Sequence, residues 1–134
     1  MEKEMEKENN LIVNGKLEFE GEYLNGKRNG KGKEYFYIGD LEFEGEYLNG
    51  KKHGKGKEYY DNGKLEFEGE YLNGEINGKV KEYYDNGNLK FEGEYFNGKK
   101  WNGKGYNKDG LMEFEIKKGK GYIKEYNYDA IFFH

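Results

Sequence analysis

The sequence predicts an all-β fold of successive antiparallel β-hairpins repeating every 24 residues. The first sign is an internal repeat. Leu17-Glu18-Phe19-Glu20-Gly21-Glu22-Tyr23 recurs unchanged at 41–47 and 65–71, and returns at 89–95 with Lys90 in place of the first Glu. The second is the alternation of large or small apolar residues with Glu inside each copy, the two-residue period of a strand. The third is the placing of Asn-Gly pairs such as Asn49-Gly50. These favour the type I′ hairpin turn, whose central residues both need positive φ. Asn62-Gly63 then turns the chain into the next unit.

The elements follow in order. Residues 1–10 read as a charged tail, and 11–16 as the end of a preceding unit. Repeats occupy 17–40, 41–64, 65–88 and 89–110, the last with one extra residue near Trp101, and a degenerate unit fills 111–134. This pattern is expected of a piece of a longer array. With Asn49 and Gly50 at the turn centre, the predicted pairs are Glu42 with Lys57, Glu44 with Lys55 and Glu46 with His53. The other face pairs Phe43 with Gly56 and Gly45 with Gly54, and the next repeat pairs Glu66 with Lys81 and Glu68 with Lys79. Opposite charges facing each other contribute roughly 0.2–1 kcal/mol per pair. One face is therefore a Glu/Lys ladder, and the other carries Leu, Phe and Tyr beside glycines. A single unit has too little to bury and is expected to fold only against its neighbours.

Composition narrows the function. Aromatic residues make 18% of the chain and charged residues 37%, at a mean hydropathy of -1.26. Disordered chains are seldom so aromatic. There is no Cys, Pro, Ser, Thr or Gln, and Arg28 is the only Arg, so disulfides, thiolate chemistry and Ser-type triads are excluded. Apolar runs stop at four residues, as in 130–133, too short to span a membrane as a helix. Residues 1–10 are too charged for a secretory signal, and a cytoplasmic location is expected. The net charge of -4 is spread as interspersed acids and bases. A nucleic-acid groove needs a basic stripe instead.

Candidate sites are few. Glu18, Glu20 and Glu22 recur identically, which suits an ion-pair ladder rather than two differently tuned catalytic carboxylates. Glu34, Glu58 and Glu82 fall on the aromatic face and are expected to reach the sheet edge and stay in water. His53 and His134 lie in different repeats and predict no metal site. Asp61-Asn62-Gly63 lacks calcium-loop spacing and reads as a turn. The binding candidates are Tyr23, Tyr47, Tyr71, Tyr95 and Trp101, because aromatics are enriched in interface hot spots. The tyrosines have a second reading as the core of the array. Phe132 joins the candidates because the Ile131-Phe132-Phe133 end invites strand pairing.

Gly45-Glu-Tyr-x-Asn-Gly-Lys-x-x-Gly-Lys-Gly56, matched at 21–32, resembles the MORN repeat. The Lys-Glu-Tyr-Tyr-Asp-Asn-Gly segments at 57–63 and 81–87 resemble its bacterial, antitoxin-like variant. The resemblance implies an elongated, twisted single-layer sheet with an aromatic-lined groove. Val80 and the Trp101 insertion depart from the pattern and predict altered twist or contact surface there. The functional expectation is a non-enzymatic scaffold, without cofactor or small-molecule substrate. It would bind a protein partner or further copies of itself through the aromatic groove or an open strand edge. The alternatives are a phosphoinositide-binding module, disfavoured by the lack of a basic patch, and an immunity-like protein that neutralises a partner.

Overall fold

The computed structural model describes the backbone of residues 6–125 and 128–133 and the side chains of residues 9–121. Among them are twelve strands: β1 (Glu6–Val13), β2 (Lys16–Leu24), β3 (Lys27–Tyr35), β4 (Leu41–Leu48), β5 (Lys51–Tyr59), β6 (Leu65–Leu72), β7 (Glu75–Tyr83), β8 (Leu89–Phe96), β9 (Lys99–Tyr106), β10 (Met112–Lys117), β11 (Lys120–Glu125) and β12 (Tyr128–Phe133). They form one antiparallel sheet in chain order, so every strand pairs only with its neighbours in sequence. At about 4.8 Å between strands, the sheet runs roughly 50 Å from β1 to β12. No helix is long and apolar enough to cross a membrane among the described residues. β1 includes Glu6 to Asn10, the second half of the stretch read as a tail.

The Asn-Gly turns form as the sequence predicts, with φ of 51° at Asn49 and 84° at Gly50. The register holds beside the turn, where Leu48 faces Lys51 and Tyr47 faces Lys52. Beyond it the prediction is wrong by two residues. Gly45 faces Gly56, Glu44 faces Lys57 and Phe43 faces Glu58, because β5 carries two extra residues opposite Glu46. The bulge has a physical cause. Gly54 takes φ 90°, and the amide of Lys55 turns onto the Glu46 carboxylate at 2.9 Å. Glu22 and Glu70 accept the Lys31 and Lys79 amides in the same way, at 2.8 and 3.0 Å. In β9 only Trp101 is extra, so the expected insertion becomes a smaller bulge.

The bulge also receives the next turn. The carbonyl of Arg28 accepts from the Gly50 amide and that of Lys52 from the Gly74 amide, each at 2.8 Å. The side chains of Asn29, His53 and Asn77 accept from the amides of Asn49, Asn73 and Asn97 at 3.3, 3.4 and 3.3 Å.

Corrected register places glycines in a row across the sheet: Gly21, Gly32, Gly45, Gly56 and Gly69 face one another in succession. Phe side chains lie over that row. A Cβ on Gly56 would stand 2.7 Å from Phe43 Cε1 and 3.0 Å from Tyr71 Cε1. Phe43 meets Tyr47 of its own strand and Tyr71 of the next hairpin edge to face, at centroid distances of 5.7 and 5.6 Å. Phe19 does the same with Tyr23 and Tyr47 at 5.7 and 5.5 Å. Such T-shaped pairs add about 0.5–1.5 kcal/mol beyond area burial. Val80 and Ile116 interrupt the glycine row with buried side chains. Gly56→Ala should therefore lower stability by about 1–3 kcal/mol through overpacking against Phe43 and Tyr71, read from urea unfolding monitored by circular dichroism. An unchanged midpoint would show that the ring has room to move.

Candidate functional site

The aromatic face is packed shut. Tyr47 and Tyr71 are 5% and 6% exposed, and Tyr23 and Tyr95 are half-buried against the same core. Three of the hydroxyls reach back to the preceding hairpin. Tyr47 donates to Glu34, Tyr71 to Glu58, and Tyr95 to Glu82 at 2.9 Å. These three glutamates are thus internal acceptors, not the freely hydrated side chains expected of them. Cations close the layer. Arg28 lies 3.9 Å over Phe19, Lys52 4.1 Å over Phe43 and Lys100 5.2 Å over Phe91. Arg28 and Lys52 each come within 3.9 Å of Glu34, and Lys100 within 3.8 Å of Glu82. In β7 Ile76 takes the corresponding place, facing Tyr71.

The opposite face is open. A trough of about 1450 Å³ crosses β2 to β8, lined by glutamates, lysines, the glycine row and Val80. Its central row alternates in sign from strand to strand: Glu20, Lys33, Glu44, Lys57, Glu68, Lys81 and Glu92. The predicted ladder exists, with shifted partners. Its carboxylates are held from within, since Tyr35, Tyr59 and Tyr83 donate to Glu20, Glu44 and Glu68. The lysines point outward, and Lys81 with Glu92 at 3.6 Å is the ladder pair in ionic contact among the described residues. Beside the Asn-Gly turns Leu48, Leu72 and Phe96 are exposed.

Trp101, 37% exposed, packs against Phe96 at 5.4 Å between centroids, away from the tyrosine row. The side chain of Phe132 lies outside the described residues, although its backbone pairs with Gly121. Of the candidates whose side chains are described, the four tyrosines meet in one core and Trp101 lies apart from them. Sequence reasoning passed over Tyr35, Tyr59 and Tyr83, whose 24-residue recurrence beside the Glu ladder was the available signal. Among the described residues no group of three or more His, Asp or Glu could hold a metal ion.

The tyrosine hydroxyls are pushed up in pKa. For Tyr35, Tyr59 and Tyr83 the value rises from 10.0 to about 12, by burial first and then by the bond to Glu20, Glu44 or Glu68. Tyr47, Tyr71 and Tyr95 are raised further, again chiefly by burial and then by Glu34, Glu58 and Glu82. A raised folded pKa favours the neutral phenol. The unfolded chain releases these protons from about pH 10, so their contribution to stability is full below that pH and is lost as pH rises through the folded values. A tyrosinate absorbance titration should show the folded protein lagging the urea-unfolded chain between about pH 10 and 12. Superimposed curves would contradict the hydroxyl bonding.

Comparison with known proteins supports the repeat reading. The MORN repeat model matches residues 19–41 and 43–64, and the MORN repeat variant model matches 76–97. Together they cover half of the 134 residues. No curated protein matches the sequence. Among solved structures, a chain from the crystal structure of a GtfA/B complex bound to UDP and GlcNAc is similar at 12% identity with a TM-score of 0.31. The match covers 78% of this chain and 22% of that one, so this chain spans about a fifth of its length, and the likeness carries no argument. The in-phase hairpins and the matched repeats place the conclusion on the sequence itself: the chain belongs to the MORN repeat family.

Proposed function

We propose that this protein is a non-enzymatic scaffold that docks an extended segment of a protein partner in the Glu/Lys trough. The observation that carries the reading is the trough itself, open and about 1450 Å³, on the face that the aromatic packing leaves free. Tyr47 and Tyr71 are spent on the core, so the docking surface is moved from the aromatic side to the ladder side.

The trough's dimensions select a class of partner. From β2 to β8 it is roughly 29 Å long at 4.8 Å per strand. A fully extended peptide of about nine residues spans that length. Like charges recur every second strand, roughly 10 Å apart, which is about three residues of extended chain. An extended segment in the polyproline II conformation, with three residues per turn at about 3.1 Å each, returns a side chain to the same face at that interval, so like charges three residues apart match the row. Complementary charge of this kind confers specificity and register more than raw affinity.

Fluorescence anisotropy against labelled peptides tests the reading. Mixed-charge peptides with the three-residue period should bind, and binding should weaken as salt rises. Lys57→Gln and Lys81→Gln should each weaken it by up to about fivefold, as exposed ion pairs do, with the circular dichroism spectrum unchanged. Binding that ignores both substitutions, or that goes instead to phosphoinositide vesicles, would reject the trough as a peptide site.

A further inference from the structure

Five of the two-residue turns share the sequence Asn-Gly, the sixth being Lys118-Gly119, and the five are not held alike. Asn49-Gly50 and Asn73-Gly74 are tied twice, through the Asn amide to Asn29 or His53 and through the Gly amide to the Arg28 or Lys52 carbonyl. Asn97-Gly98 keeps the first tie, to Asn77 at 3.3 Å. For the amides of Gly98 and Gly15 no acceptor is found among the described residues. Asn14 and Asn97 are exposed, and a Cβ on Gly15 would meet nothing within 4 Å.

We propose that Asn14 and Asn97 are sites of deamidation to aspartate and isoaspartate, and that docking of the turn protects Asn49 and Asn73. The Gly nitrogen attacks the Asn Cγ and a C–N bond forms. Its proton passes to solvent base, and the side-chain nitrogen leaves as ammonia. Water then adds to one carbonyl of the resulting succinimide and breaks a ring C–N bond. One water is consumed and one ammonia released, with no oxidation or reduction. Glycine presents no side chain to hinder the attack and lets the turn rotate. Rotation is what the docked turns resist, because their amides would have to leave a carbonyl acceptor first.

The outcome differs from turn to turn. Each conversion adds a negative charge, and isoaspartate inserts a carbon into the backbone. At Asn97 the new charge arises near Glu75, whose Oε2 stands 3.5 Å from the place of a Gly98 Cβ. That repulsion opposes the contact between the fourth hairpin and the third, beside the Phe96–Trp101 pair. Deamidation at Asn97 is therefore a timed change at the contact between two hairpins.

The test is peptide mapping by mass spectrometry after incubating the folded protein in mildly alkaline buffer. Asn14 should convert fastest and Asn97 next. Asn49 and Asn73 should be slowest, by roughly two- to tenfold for each tied amide. In denaturant the sites should converge. Asn29→Ala frees the Asn49 amide and should accelerate conversion at Asn49 while leaving Asn73 unchanged. Equal rates at Asn14, Asn49, Asn73 and Asn97 in the folded protein overturn the proposal, as does an Asn49 rate that ignores Asn29→Ala.

Discussion

Everything in this sheet depends on one steric constraint: a Phe ring must lie flat over a row of residues that have no side chain. Phe43 is 1% exposed because Gly45 and Gly56 leave the space it fills. The ring then touches a tyrosine on its own strand and another one hairpin further on. That second contact converts separate hairpins into an array. Phe19, Phe43 and Phe91 are each completed by a ring of the next hairpin, so burial propagates along the sheet as nearest-neighbour coupling, the energetics of a linear repeat protein.

The bulge beside each turn serves the same end. By placing two extra residues opposite Glu46, β5 brings a carbonyl and an acceptor side chain to the following turn, at Gly74 and Asn73. The hairpins are thus joined twice, by rings in the middle of the strands and by backbone at their ends. Both joints use up polar and aromatic groups on one side or one rim. What remains is the ladder face, where glutamates are fixed by tyrosine hydroxyls and bulge amides while lysines stay exposed. The scaffold reading follows from that division of labour between the faces.

Much of this was legible in the residues. The alternation in Leu41 to Tyr47 and the Asn49-Gly50 turn are local signals, and both strands and turn formed accordingly. The register beyond the bulge was not legible, for a definite reason. A shift of two residues leaves every side chain on its own face. It also leaves Glu44 opposite a lysine, whether Lys55 as expected or Lys57 as found, so neither charge nor polarity distinguishes the two. Trp101 misled for a related cause. Gly103 moves into the glycine row opposite Gly93, because the space beneath Phe91 outranks the local spacing. The Tyr47–Glu34 bond was invisible because it joins residues from different hairpins, a relation no local pattern encodes.

The central claim is that contacts between hairpins, rather than within them, hold the structure. Circular dichroism of a peptide spanning residues 41–64, which carries one hairpin with its turn, tests that most directly. The account predicts an unfolded spectrum at all accessible temperatures, because Phe43 lacks Tyr71 and the turn lacks its docking bulge. A cooperative β-sheet spectrum from that peptide alone would contradict it.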